Sequence, residues 1–139
     1  MDKFVWPVRV YYEDTDSGGV VYYANYLKFM ERARTEWLRA HGFEQDALLR
    51  DQRLMFAVRS LSIDYQRPAH FNDLLAVVSR VVEARGATLV FEQTVERDPS
   101  AQVLCAARVR VACIDAQTFR ARRIPRELLG ERGGDVGDP

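Results

Sequence analysis

The sequence predicts an α+β domain: one antiparallel β-sheet laid against a single long amphipathic helix. Three observations carry this. One segment, and only one, has apolar residues recurring at three- and four-residue steps over five turns. The remaining apolar runs are strand-like. Most of them are separated by short hairpin-type punctuation, and closely spaced hairpins imply antiparallel pairing because parallel strands need long crossovers.

Phe4 to Tyr12 opens the chain as a strand. Val5, Val8, Val10 and the tyrosines favour extended backbone, and Pro7 suits a strand start or a sheet edge. Asp14 to Gly19 has loop chemistry, with two carboxylates one residue apart followed by a glycine pair. The helical pattern runs from about Tyr22 to His41. Tyr26, Phe29, Met30, Ala33, Trp37 and Ala40 make its apolar stripe, and Gly42 supplies a C-terminal stop. After a short polar connection, Leu54 to Gln66 reads as a strand. Leu61, Ile63 and Tyr65 alternate there with Ser60, Ser62 and Asp64, which predicts one buried face. Arg67 to Asp73 breaks it. Leu74–Glu83, Thr88–Glu96 and Gln102–Ile114 follow, separated by Arg85-Gly86 and Asp98-Pro99-Ser100. The expected order is one strand, one helix and a four-strand meander. Residues 1–129 form one domain on this reading, and the Gly- and Asp-rich residues 130–139 form a flexible tail.

At 139 residues, 47% hydrophobic and 29% charged, the chain suits one domain with a proper core. Its formal net charge is zero, so nothing in the overall balance favours nucleic acid. No apolar run approaches the ~20 residues of a membrane span, and the N-terminus lacks the apolar core of a signal peptide, which predicts a cytoplasmic protein. Cys105 and Cys113 share one strand-like run. They would lie about 25 Å apart, too far to bridge, and read as buried reduced thiols. No Cys/His cluster has zinc spacing, so no metal is expected.

The segment richest in chemistry is Tyr12-Glu13-Asp14-Thr15-Asp16-Ser17-Gly18-Gly19-Val20-Val21-Tyr22-Tyr23-Ala24-Asn25-Tyr26. It sets an acid beside the start of a helix, where unpaired backbone N–H groups can hold an oxyanion. A carboxylate facing such donors has the parts to hydrolyse an activated carbonyl. Asp16 can equally be a turn or helix-capping aspartate. Asp14 reads as a brace for the loop. Gly18 and Gly19 allow a tight turn and close approach by a substrate. Asn25 and Tyr26 can orient loop or substrate, or simply cap and pack. Glu31 is a secondary acid that an ion pair would explain as well, and His70 is a loop residue.

With Val8 to Asp16, Glu31-Arg32-Ala33-Arg34-Thr35-Glu36 and the strand–helix–strand order in view, the chain resembles the hotdog-fold acyl-CoA thioesterases of the 4-hydroxybenzoyl-CoA thioesterase family, nearest to their Tol-Pal-associated bacterial branch. The likeness spans roughly residues 4 to 127. It implies a hotdog fold, an antiparallel sheet wrapped around one long central helix. It implies that Asp16 is the catalytic carboxylate and that the backbone N–H of Tyr23 polarises the thioester carbonyl. Gly18, Gly19, Val20, Asn25, Tyr26 and Arg85 are the expected substrate contacts, with Arg120, Arg122 and Arg123 as further phosphate-binding candidates. The expected partners are an acyl-CoA or an acyl carrier protein and further copies of the chain, as a dimer or tetramer. No cofactor beyond the CoA of the substrate is expected. Many members of the Tol-Pal branch carry a histidine where this chain has Tyr23, so only an aspartate-based mechanism carries over. Hydration or dehydration on the same scaffold usually recruits a histidine that the Asp16 loop lacks. A non-catalytic acyl-binding scaffold is the reading from a different class.

Overall fold

A computed structural model describes residues 3–129; the expected tail, residues 130–139, lies outside them. Strand β1 (Phe4–Arg9) leads through a 3-10 turn at Tyr12–Asp14 and a loop into helix α1 (Asn25–Ala40). A second helix α2 (Gln45–Gln52) precedes β2 (Leu54–Tyr65), β3 (Leu74–Arg85), β4 (Thr88–Arg97) and β5 (Gln102–Asp115), and a short α3 (Arg126–Leu129) follows. All five strands form one antiparallel sheet in the order β1-β3-β4-β5-β2.

The stripe on α1 is buried as expected at Tyr26, Phe29, Met30, Ala33 and Trp37, but Ala40 is exposed and Leu38 is buried beyond the expected set. The helix packs against β1, β3 and β4. Trp37 meets Phe91 of β4 edge-on at 5.2 Å. Burying a side chain of this size contributes roughly 1.5–3 kcal/mol. One buried polar group pins the layers together. The Gln93 amide donates to the Met30 carbonyl (3.0 Å) and to Ser79 Oγ (2.9 Å), and its oxygen accepts from Arg34 (2.9 Å). Every polar atom of that amide is therefore satisfied inside the core. Burial also lowers the pKa of the Arg34 guanidinium, with nearby Glu31 opposing the shift.

Four expectations need correction. The helix starts at Asn25 rather than Tyr22, because Tyr22 to Asn25 is taken by a tight turn. It is not the only helix: α2 occupies the expected polar connection, held by one buried leucine, Leu48. A single buried apolar residue leaves no stripe for sequence periodicity to find. The first strand ends at Arg9, since the 3-10 turn uses Tyr12 to Asp14. The four-strand meander contains only β3, β4 and β5; β2 lies beside β5 at the far edge. The reason is local. Residues 67–73 do not close a hairpin but cross the end of the sheet, where Val20 and Val21 pair with His70 and Ala69.

The inner face of β2 is also less buried than its alternation predicts. Val58, Leu61 and Tyr65 remain 46%, 42% and 41% exposed. Both cysteines lie buried and unpaired on β5, as expected. Among the described residues no helix is long and apolar enough to cross a membrane, which says nothing of a β-barrel.

Candidate active site

The loop between β1 and α1 is built on two aspartates with different tasks. Asp14 is 8% exposed. Its Oδ2 accepts from Tyr11 N–H and its Oδ1 from the Asn25 amide, each at 2.9 Å, while its backbone carbonyl accepts from Tyr22 N–H at 2.9 Å. Both carboxylate oxygens are thus spent on holding the loop to the start of α1. Asp16 is exposed. Its backbone closes a turn through Asp16 N–H to Val20 O (2.9 Å) and Gly19 N–H to Asp16 O (3.0 Å). Its Oδ1 accepts from Gly18 N–H at 2.8 Å, which leaves Oδ2 with no partner among the described residues. The glycines serve that turn. Gly19 has φ +81°, and a Cβ on Gly18 would stand 3.2 Å from Asp16 Oδ1.

At the start of α1 the turn Tyr22–Asn25 is closed by Asn25 N–H to Tyr22 O at 2.8 Å. Ala24 has φ −70° and ψ −19°, so this is a type I turn whose two central N–H groups face the same side. Those two, on Tyr23 and Ala24, have no acceptor among the described residues. Tyr23 lines a pocket of about 260 Å³ together with Val21, Tyr26, Tyr65 and the segment Gln66-Arg67-Pro68, and Ala24 is the next residue along the turn. Tyr65 stands edge-on to Tyr23 at 6.0 Å and 5.7 Å from Tyr26. The Tyr26 hydroxyl accepts from Ala69 N–H (2.9 Å), fixing the crossing segment over the helix. Arg97 holds the same segment by pairing with Asp73 and donating to Pro68 O at 2.9 Å. Burial raises the pKa of the Tyr26 and Tyr65 phenols.

The structure therefore gathers Asp16, Gly18, Gly19, Val20, Tyr23, Asn25 and Tyr26 on one continuous loop and helix start. Within that group, Tyr23 and Tyr26 line the pocket; Asp16 does not. The side chain of Asn25 is committed to Asp14 rather than to open space. Arg85 is not brought to this loop. It ends β3, whose other end adjoins the Asp16 region, and the strand's length puts roughly 35–40 Å between them. Ile124 N–H donates to Gly86 O, so Arg120, Arg122 and Arg123 cluster near Arg85 at that distant end. Arg122 is occupied there by Asp115 and the Gln52 carbonyl. Glu31 does not line the pocket. Tyr65, Arg67 and Pro68 were missed as site residues. Their only sequence signals are a strand end and a proline break, and neither says which helix they will meet. A larger groove of about 500 Å³ on the outer sheet face is bordered by Arg80, Glu92 and Arg108, and has none of these features.

A family model described as the Thioesterase-like superfamily matches residues 10–131. The chain belongs to the Thioesterase-like superfamily. A Haemophilus influenzae relative named acyl-CoA thioesterase YbgC is 50% identical over 125 residues, covering 90% of each chain. An Escherichia coli O6:H1 relative named acyl-CoA thioester hydrolase YbgC is 44% identical, covering 92% of this chain and 94% of its own. The crystal structure of a probable thioesterase from Bartonella henselae superposes with a TM-score of 0.83 at 36% identity, covering 89% of this chain and all of its own. The five-stranded antiparallel sheet with its helices is therefore a hotdog thioesterase fold. It carries two principal helices rather than the one expected.

Proposed function

We propose that this thioester hydrolase cleaves a short-chain or aromatic acyl-CoA to the free acid and CoA, with Asp16 as the catalytic carboxylate and α1 as the central helix. The observation that carries the reading is the pair of unpartnered N–H groups on Tyr23 and Ala24 at the start of α1, with Tyr23 itself lining an aromatic pocket. The acyl group enters that pocket, and Tyr23 N–H binds the thioester oxygen where negative charge develops. The Oδ2 of Asp16 then acts in one of two ways. As nucleophile it bonds to the carbonyl carbon, the C–S bond breaks, CoA leaves as thiolate, and water cleaves the mixed anhydride. As general base it takes a proton from attacking water, and that proton passes to the departing thiolate. A thiol of pKa roughly 8–9 leaves without a strong acid, so neither route needs a histidine at position 23. The mechanism uses no metal or further cofactor.

Arg67 is exposed on the pocket rim and suits a CoA phosphate. Arg85 reaches CoA only if a second copy delivers it. A homo-oligomer, dimer or tetramer, is supported by the sheet edges. β1 is short and carries Pro7, whereas β2 has 12 residues, no proline and an exposed apolar inner face. Such an edge is normally paired or blunted. A cytoplasmic setting is supported by the two free thiols, and an acyl carrier protein is an alternative donor of the same thioester. Free-thiol release from a panel of short, long and aromatic acyl-CoAs tests the assignment. Asp16→Asn is expected to lose at least ~100-fold in kcat while keeping its melting temperature. Full activity in that variant removes Asp16 from the mechanism.

A further inference from the structure

The two free N–H groups belong to peptide planes whose opposite ends are both held. In a trans peptide the carbonyl of one residue and the N–H of the next point in opposite directions in one plane. The only cis bond among the described residues is Asp98-Pro99, so both planes here are trans. The Tyr22 carbonyl, in plane with Tyr23 N–H, is held by Asn25 N–H at 2.8 Å. The Tyr23 carbonyl, in plane with Ala24 N–H, is held by the Tyr65 hydroxyl at 3.1 Å. One restraint is local and follows from the turn. The other is delivered from β2, 42 residues away in sequence.

We infer that Tyr65 is a positioning residue: by donating to the Tyr23 carbonyl it aims Ala24 N–H as a second donor to the thioester oxygen, beside Tyr23 N–H. This rests on the proposed hydrolase mechanism and extends it to a residue outside the Asp16 loop. A hydrogen bond to a peptide carbonyl also polarises the N–H on the far side of that plane, so Tyr65 strengthens the donor as well as fixing it. Tyr65 borders the pocket, so a seated acyl group excludes water from this bond and raises its worth. A tyrosine phenol, with a pKa of about 10, is protonated at neutral pH, and partial desolvation here raises that value, so Tyr65 is a donor at neutral pH.

The test is Tyr65→Phe, which keeps the ring and its contacts with Tyr23 and Tyr26 and removes only the oxygen. The expected result is a fall in kcat of about tenfold, with KM within about twofold and an unchanged melting temperature. Losing an oxyanion donor outright costs ~10²–10³, and loosening one costs less. The second readout is the infrared carbonyl stretch of a ¹³C-labelled benzoyl-CoA bound to Asp16→Asn. It is expected to move to higher frequency when Tyr65→Phe is added, because the carbonyl is less polarised. An unchanged kcat, a change confined to KM, or an unmoved carbonyl band overturns the inference while leaving the hydrolase reading intact. If the native protein releases no thiol from any acyl-CoA, the hydrolase reading fails and this role for Tyr65 falls with it.

Discussion

Adjacent glycines in the Asp16 loop are expected to fail in opposite ways when each becomes alanine. Gly19 has φ +81° and open space where an added methyl would stand, so Gly19→Ala meets backbone strain but no collision. Left-handed backbone costs a residue with a Cβ roughly 1–2 kcal/mol. In a domain this size, that lowers the melting temperature by roughly 3–7 °C. Gly18 has no such strain, but its new Cβ would sit 3.2 Å from Asp16 Oδ1, the atom that now accepts from Gly18 N–H at 2.8 Å. The carboxylate must yield by a few tenths of an ångström. Misplacing a catalytic group by ~1 Å costs ~100-fold, so a shift of this size predicts about a five- to tenfold fall in kcat. With Asp16 in its proposed role, Gly18→Ala is therefore expected to be a catalytic lesion with a melting temperature within ~2 °C of native, and Gly19→Ala chiefly a stability lesion. Thermal unfolding followed by circular dichroism, with thiol release on the same samples, separates them. Native kcat in Gly18→Ala would refute the claim that the position of Asp16 limits the rate.

The buried thiols set a pH dependence. Burial pushes Cys105 from 9.0 up to about 12 and Cys113 up to about 11. The unfolded chain releases these protons above pH ~9 while the folded chain keeps them. Stability is fully present below pH 9 and declines as pH rises toward 11–12, by up to ~1.4 kcal/mol per pH unit for each thiol. Cys105→Ala is expected to flatten the slope of urea-derived stability between pH 9 and 10.5, and an identical slope counts against a raised pKa at Cys105. At the β2 edge, Leu61→Arg changes a side chain 42% exposed in one copy, so it costs an isolated protomer little. If β2 carries a second copy, the buried charge weakens association by ~3 kcal/mol, about 100-fold in Kd. Light scattering should then show a fall in mass, and a native protein that is already monomeric eliminates the paired edge.

The elements were legible wherever one periodicity ran unbroken. The α1 stripe from Tyr26 to Trp37, the Gly42 stop and the β3, β4 and β5 runs needed only local pattern. α2 escaped because Leu48 alone anchors it. The exposed inner face of β2 escaped because alternation reports which side chains share a face, not what covers that face. The Asp16 loop was legible because its glycines and carboxylates are local chemistry. That Arg85 stands at the far end of β3 from the Asp16 loop was not legible, because arginine composition carries no information about which end of a strand it will occupy.

Local pattern was enough to specify the α1 stripe, its stop, the antiparallel hairpins and the residues of the Asp16–Tyr26 segment. Each depends on propensities and hydrogen bonds acting over a few residues. Tertiary structure alone decided that β2 pairs with β5, that residues 67–73 cross the sheet end to pair with Val20 and Val21, and hence that Tyr65 meets the Tyr23 carbonyl. The physical reason is that strand order follows from which backbone edges and apolar faces satisfy one another across the whole chain. A pocket assembled from residues 21–26 and 65–68 exists only once that global pairing is made.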